Sequence, residues 1–375
     1  MAGKEIYNKM KDKVKDAFSS SGPETGKGKT KLSGRRVKHG YHLVKGKSNH
    51  PMEDYLVAEY RQVGEHDLGL FAIFDGHLGH TVPDFLREHL FDNILKEPEF
   101  LSDTKNAMRK AYLLTDEKIL ERAAELGRGG STAVTAILIS CDDSVKLVVA
   151  NVGDSRAVIS KNGKAEQLSV DHEPNMEKEI IEEKGGFVSN LPGNDHLLSI
   201  PTNSVRTVCL AKHLHSHFTV LNTYVFSQAL CRRFCYLATR SVTSAEADSS
   251  FLFCNGLGQK HMICRLSSLN CEHVSLAGDV PRVDGQLAVA RAFGDRSLKK
   301  HLSSEPHVAE EVIDESSDFL ILASDGLWKV MTNQEAVDEI KDFKDAQAAA
   351  KHLTEQAVNR RSKDDISCVV VKFHC

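Results

Sequence analysis

No stretch of this chain approaches the ~18–20 consecutive apolar residues that cross a membrane as a helix. Stable membrane insertion is therefore not expected. The nine cysteines show no regular paired spacing, which fits a reducing compartment better than a secreted disulfide scaffold. No charged-then-apolar leader opens the chain, Met1-Ala2-Gly3 is not a myristoylation start, and Lys372-Phe373-His374-Cys375 is not a prenylation box. These absences set an expectation of cytoplasm or nucleus. Net positive charge is also lacking: the balance is -4, and no aromatic pattern interleaves the basic N-terminus, so a nucleic-acid partner is not expected.

With 41% hydrophobic residues in 375, the chain has enough apolar material for a sizeable core. Its first forty residues hold eleven Lys and Arg against four acids. Ile6, Met10, Val14 and Phe18 recur every four residues, as on a short amphipathic helix. A Ser/Gly/Pro stop and a Gly/Lys/Thr linker follow, so residues 1–36 read as a basic, solvated arm. From 37 to about 193 short β runs are expected at 55–60, 70–74, 131–139, 146–151, 156–160 and 165–169. Turn residues separate the last four and predict an antiparallel meander. Helical periodicity covers 82–95 and 105–126, with Met108, Tyr112, Thr115 and Ile119 on one face. The same style resumes near 279, with a strand at 319–323, helices at 333–344 and 345–359, and a last strand at 366–373. Segregated strands and helix pairs predict an α+β fold of packed antiparallel sheets with helices outside.

The chemistry lies in acids placed at the ends of these runs. Apolar strands run into Asp75-Gly76-His77 and into Asp325-Gly326. Met52-Glu53-Asp54 precedes a strand, Asp154 sits in the turn Gly153-Asp154-Ser155, Asp295 ends Ala292-Phe293-Gly294-Asp295, and Asp364-Asp365 precedes the last strand. A lone Asp-Gly is usually hairpin punctuation, and Asp284-Gly285 is read that way. A carboxylate fixed at the end of a buried strand is costly unless a cation or several donors meet it. Oxygen ligands without clustered cysteines favour Mg²⁺ or Mn²⁺ over zinc. Two such ions can activate a shared water and clamp phosphate oxygens. Asp75 is the expected bridging ligand, because the glycine after it lets a backbone carbonyl approach closely. His77 is then placed to give a proton to a leaving oxygen.

Met52-Glu53-Asp54, Phe74-Asp75-Gly76-His77, Gly129-Gly130-Ser131-Thr132, Val152-Gly153-Asp154-Ser155-Arg156, Asp171-His172-Glu173-Pro174, Ala290-Arg291-Ala292-Phe293-Gly294-Asp295, Ala323-Ser324-Asp325-Gly326 and Asp364-Asp365-Ile366 come in one order. In that order they resemble the motifs of the metal-dependent protein serine/threonine phosphatases of type 2C, and of plant members in particular. The resemblance implies a central antiparallel β-sandwich flanked by helix pairs, a four-layer αββα fold. It implies that Asp75 bridges two Mn²⁺ or Mg²⁺ ions, that Gly76 lends one its carbonyl, and that Asp325 and Asp364 bind the other. Glu53 and Asp54 would hold metal-bound waters, His77 would be the general acid, and Asp154 would help hold a weaker third ion. Substrates would be phosphorylated proteins, hydrolysed at phosphoserine and phosphothreonine by a monomeric enzyme. The alternative is a catalytically impaired relative that binds phosphoproteins.

Three departures from the family pattern stand out. Where many members have an arginine that grips phosphate, four residues before the glutamate, this chain has Asn49. The last motif ends in Asp365, an extra carboxylate that would strengthen metal binding or face water. Residues 194–278 match nothing around them: eleven charged residues among 85, against 89 among the other 290, with six of the nine cysteines and six of the eighteen histidines. Excising them leaves a continuous family-like sequence from 37 to 375. The expectation is an irregular insertion, retained intron sequence rather than an evolved domain. His213-Leu214-His215-Ser216-His217 and Cys231-Arg232-Arg233-Phe234-Cys235 lack standard zinc-finger spacing.

Overall fold

A computed structural model describes residues 23–47, 50–190 and 280–373, with the backbone of three short strands between 251 and 272. The expected N-terminal helix, Asn49, and the His213–His217 and Cys231–Cys235 clusters lie outside the described residues. The chain forms two compact units, Met1–Gly186 with Ala288–Cys375, and Phe187–Leu287.

The first unit is built on two antiparallel sheets. One orders β1 (Glu24–Leu32), β2 (Arg35–Val44), β18 (Ile366–Lys372), β17 (Ser317–Ala323), β8 (Arg156–Lys161) and β9 (Lys164–Gln167). The other orders β15 (Phe293–Gly294), β5 (Gly130–Ser131), β4 (His66–His77), β6 (Ala133–Ser140), β7 (Val145–Val152) and β16 (His307–Ile313), with β3 (Asp54–Val63) also paired to β4. Side chains alternate between the faces of each strand. In β4, Phe71 and Ile73 point between the sheets, where they meet a cluster that includes Leu138, Val149, Ile159, Leu322 and Val369. Leu70, Ala72 and Phe74 point the other way, into a layer with Leu86, Leu90, Met108 and Tyr112. That layer comes from helices α1 (Thr81–Lys96) and α2 (Thr104–Glu121), followed by the short α3 (Ala123–Leu126). A short α4 (Lys178–Glu183) lies further on. The outer face of the first sheet packs Phe319, Ile321 and Val370 against Ala349, Ala350 and Leu353. These come with α5 (Asp325–Trp328), α6 (Asn333–Ile340) and α7 (Ala346–Asn359). The αββα layering is as expected, and it explains why the central strands read as unbroken apolar runs: both faces are covered. Each fully buried Leu, Ile or Phe contributes roughly 1.5–3 kcal/mol.

Three expectations need correction. The stretch read as a linker is strand β1, paired residue for residue with β2. Lys27, Lys29 and Lys31 lie on its exposed side, and the residues between them face inward, so the lysines are edge charge on a real strand. The four-strand meander is two hairpins. After β7 the chain turns at Gly153 (φ 98°) and β8 joins the opposite sheet. Strand β16 gives no strand signal in sequence, because His-Val-Ala-Glu-Glu-Val-Ile is half polar.

In the second unit β10 (Val188–Ser189) pairs with β14 (Arg282–Val283), bringing together the chain on either side of residues 194–278. Asp284 and Gly285 have φ of 50° and 70° and make the expected tight turn. The segment read as irregular carries a three-stranded antiparallel sheet of β11 (Phe251–Cys254), β12 (Met262–Arg265) and β13 (Cys271–Glu272).

Candidate metal and active site

Strand register gathers the acids at one end of the sandwich. Asp54, which opens β3, pairs with Asp75 near the end of β4. Ala323, the last residue of β17, pairs with Arg156 at the start of β8 and with Cys368 near the start of β18. Asp325 just beyond β17, Asp154 just before β8, and Asp364 just before β18 therefore share that end. Asp75, Asp154 and Asp325 each offer a carboxylate oxygen within 4.8 Å of the other two. Asp54 Oδ1 and Asp325 Oδ1 are buried and have no hydrogen-bond partner. Unpartnered carboxylate oxygens in such a place are costly. An all-oxygen set of this kind fits a hard divalent cation.

The electrostatics agree with the geometry. Burial pushes the Asp54 carboxyl up to about 8; the Ser367 and Ser324 hydroxyls oppose the rise and the charges of Asp365 and Asp325 add to it. Asp75 is raised well above the ordinary carboxylate range by desolvation, then by Asp54, Asp325, Asp154 and Asp364. Asp154 is raised by desolvation and by Asp325. Asp325 is raised by desolvation, while Lys329 pulls it back. Groups that repel one another's charge in this way hold protons until a cation replaces them.

Around this cluster the sequence-predicted residues separate. Gly76 is needed for space: a Cβ there would lie 2.6 Å from Pro83 Cγ and 2.7 Å from the Glu53 carbonyl oxygen. The Glu53 carboxylate accepts from the Gly79 backbone N–H at 2.7 Å and lies 3.5 Å from His50 Nδ1. Asp364 stands beside the cluster, its side chain 44% exposed, and is not one of the three acids that converge within 4.8 Å. His77 Nε2 lies 2.8 Å from Asp295 Oδ2.

Three residues carry roles that the sequence did not disclose. Asp365 neither faces water nor joins the cluster: it is buried, and its two oxygens accept from the backbone N–H groups of Gly46 (2.7 Å) and Glu53 (2.9 Å). It clamps the turn that presents Glu53 and Asp54. Asp295 is buried with φ of 50° and packs against Gly130, where a Cβ would come within 2.1 Å of its Oδ2. Its carboxylate holds the His77 ring. Lys329 reaches Asp325 at 2.5 Å and Asp364 at 2.8 Å. The signal for Asp295 was its motif position; nothing local marked its partner, 218 residues away.

The sequence profile described as Protein phosphatase 2C matches residues 44–202 and 270–366. The chain belongs to the protein phosphatase 2C family. Probable protein phosphatase 2C 62 of Oryza sativa subsp. japonica is 68% identical over 375 residues, covering all of both chains. Probable protein phosphatase 2C 39 of Arabidopsis thaliana is 51% identical over 377 residues, again covering all of both. In fold the chain is similar to the serine-threonine phosphatase 2C from Toxoplasma gondii, with a TM-score of 0.59 and 21% identity over 94% of this chain and 100% of that one. A second Toxoplasma gondii phosphatase gives a TM-score of 0.61 at 18% identity, over 94% and 96%. The family is metal-dependent, in keeping with the acidic cluster.

Proposed function

We propose that this chain hydrolyses phosphoserine and phosphothreonine on proteins, and that Asp75, Asp154 and Asp325 hold the divalent ions, Mn²⁺ or Mg²⁺, that the reaction needs. The observation that carries this reading is the convergence of three carboxylates within 4.8 Å beside two buried, unpartnered oxygens. When bound, a pair of such ions would supply Lewis acidity toward phosphate and a water of lowered pKa.

The chain's own residues supply the rest. Asp75, on which Asp54, Asp154, Asp325 and Asp364 all act, would hold metal together with Asp154 and Asp325. Asp364 would be a further ligand beside Asp325, with which it shares Lys329, and Gly76 would leave the backbone room to approach. Glu53 and Asp54 border the cluster as acceptors for ordered water, held there by the Asp365 clamp. His77 is the proton donor to the leaving oxygen. With Nε2 donating to Asp295, Nδ1 is the ring atom left to face substrate. Asp295 thus positions the ring rather than touching phosphate. No cysteine or serine nucleophile is required, and Cys368 is unsuited to one: it is fully buried, and burial pushes its thiol up.

The test is release of phosphate from a phosphothreonine peptide by the full chain. Activity with Mn²⁺, none in EDTA, and none in folded Asp75→Asn is the expected result. Equal release by wild type and Asp75→Asn would overturn the reading.

A further inference from the structure

We propose that Lys329 is a tethered cation that competes with divalent metal for the Asp325–Asp364 side of the cluster and so sets how tightly metal binds. This rests on the reading of Asp325 as a metal ligand. The geometry is local and built in. Asp325 opens α5 and Lys329 follows that single turn, its backbone N–H bonded to the Asp325 carbonyl at 2.8 Å. The i, i+4 spacing brings the ammonium back over the carboxylate. Nζ then spans two acids from separate parts of the chain, Asp325 Oδ2 at 2.5 Å and Asp364 Oδ2 at 2.8 Å. Asp325 is divided between two demands, since its Oδ1 is buried without a partner.

Charge makes the competition unavoidable. Asp54, Asp154, Asp325 and Asp364 all raise Asp75, and Lys329 is a positive group that opposes the rise of both Asp154 and Asp325. A divalent ion that takes up Asp325 and Asp364 must share them with the ammonium or displace it. Displacement has somewhere to go. The Lys329 side chain is 52% exposed and lines an open cavity of about 590 Å³ with Arg156, Trp328 and Asn333. One unit charge at contact distance from a carboxylate pair in which Asp325 is 15% exposed and Asp364 44% exposed changes the affinity for a cation by about tenfold or more. The same ammonium neutralises part of the cluster while metal is absent.

The test is direct titration of the full-length protein with Mn²⁺, read by electron paramagnetic resonance of the free ion, for wild type, Lys329→Gln and Lys329→Arg. Lys329→Gln is expected to bind Mn²⁺ about tenfold more tightly, and Lys329→Arg, which keeps the charge, to stay near wild type. Thermal unfolding in EDTA gives a second readout: Lys329→Gln should unfold at a lower temperature than wild type and gain more on Mn²⁺ addition. Equal affinity of wild type and Lys329→Gln overturns the inference alone. Failure of both proteins to bind Mn²⁺ overturns the metal-site reading and this inference with it.

Discussion

Asp54→Asn should make the metal-free protein more stable at pH 8 while weakening its grip on metal. Asp54 is 1% exposed, one of its oxygens has no partner, and its carboxyl is pushed from 3.8 up to about 8. Below about pH 4 it is protonated in both folded and unfolded chains and costs nothing. As pH climbs from about 4 to about 8, the unfolded chain has released this proton while the folded chain keeps it. Folded-state stability therefore falls across that window, and the full loss is present by pH 8. At 1.36 kcal/mol per unit the shift is worth ~6 kcal/mol as an upper bound. Asp75 and Asp325 redistribute charge when Asp54 changes, so about 3 kcal/mol is the expected net gain for the asparagine at pH 8, and under about 1 kcal/mol at pH 5. Asparagine keeps an oxygen to accept from Ser367, so the local packing survives. Urea denaturation in EDTA at the two pH values reads the difference directly. Saturating Mn²⁺ should reverse the order at pH 8, since it stabilises wild type more. A pH-independent difference, or an asparagine variant less stable than wild type at pH 8 in EDTA, would refute the reasoning.

Other perturbations test other parts of the account. Asp295→Asn should lower kcat by about tenfold to a hundredfold on a phosphothreonine peptide and much less on p-nitrophenyl phosphate, whose leaving group needs no proton; equal losses on both would show a merely structural role. Asp365→Ala should destabilise the protein by about 1–2 kcal/mol in urea, because two part-buried N–H groups lose their carboxylate acceptor, and should also weaken Mn²⁺ binding by loosening the turn before β3. Tyr112→Phe should cost about 1 kcal/mol, the worth of its buried 2.8 Å hydroxyl contact with Thr135, without changing activity. The chain lacking residues 194–278 should still unfold cooperatively by calorimetry, since the described sandwich core lies wholly outside them.

Much of the fold could be read because the strands that matter most are covered on both faces. Leu70–Phe74 and Phe319–Ala323 are unbroken apolar runs, and helices α1, α2, α6 and α7 fall within a few residues of their periodic segments. What escaped was set by pairing rather than by local pattern. Strand β1 is half lysine and glycine, and only its ladder with β2 makes it a strand. The crossing at Gly153 looks in sequence like any hairpin turn, and what separates β7 from β8 is the choice of opposite sheets. The site divides in the same way. Asp75, Asp154 and Asp325 were visible as acids at strand ends, and the register of the ladders brings them together. The role of Asp365 is not legible in sequence because its partners, Gly46 and Glu53, lie more than 300 residues away. Nothing in the sequence marks Lys329, because a lysine one turn into a helix is usually a solvated residue.

If distant acids converge to hold divalent ions, the ions should be found among those carboxylates. Anomalous scattering from crystals equilibrated with Mn²⁺ tests it most directly. Peaks are expected within coordinating distance of Asp75 and Asp325, lost in Asp75→Asn crystals. No peak between these carboxylates at saturating Mn²⁺ would contradict it.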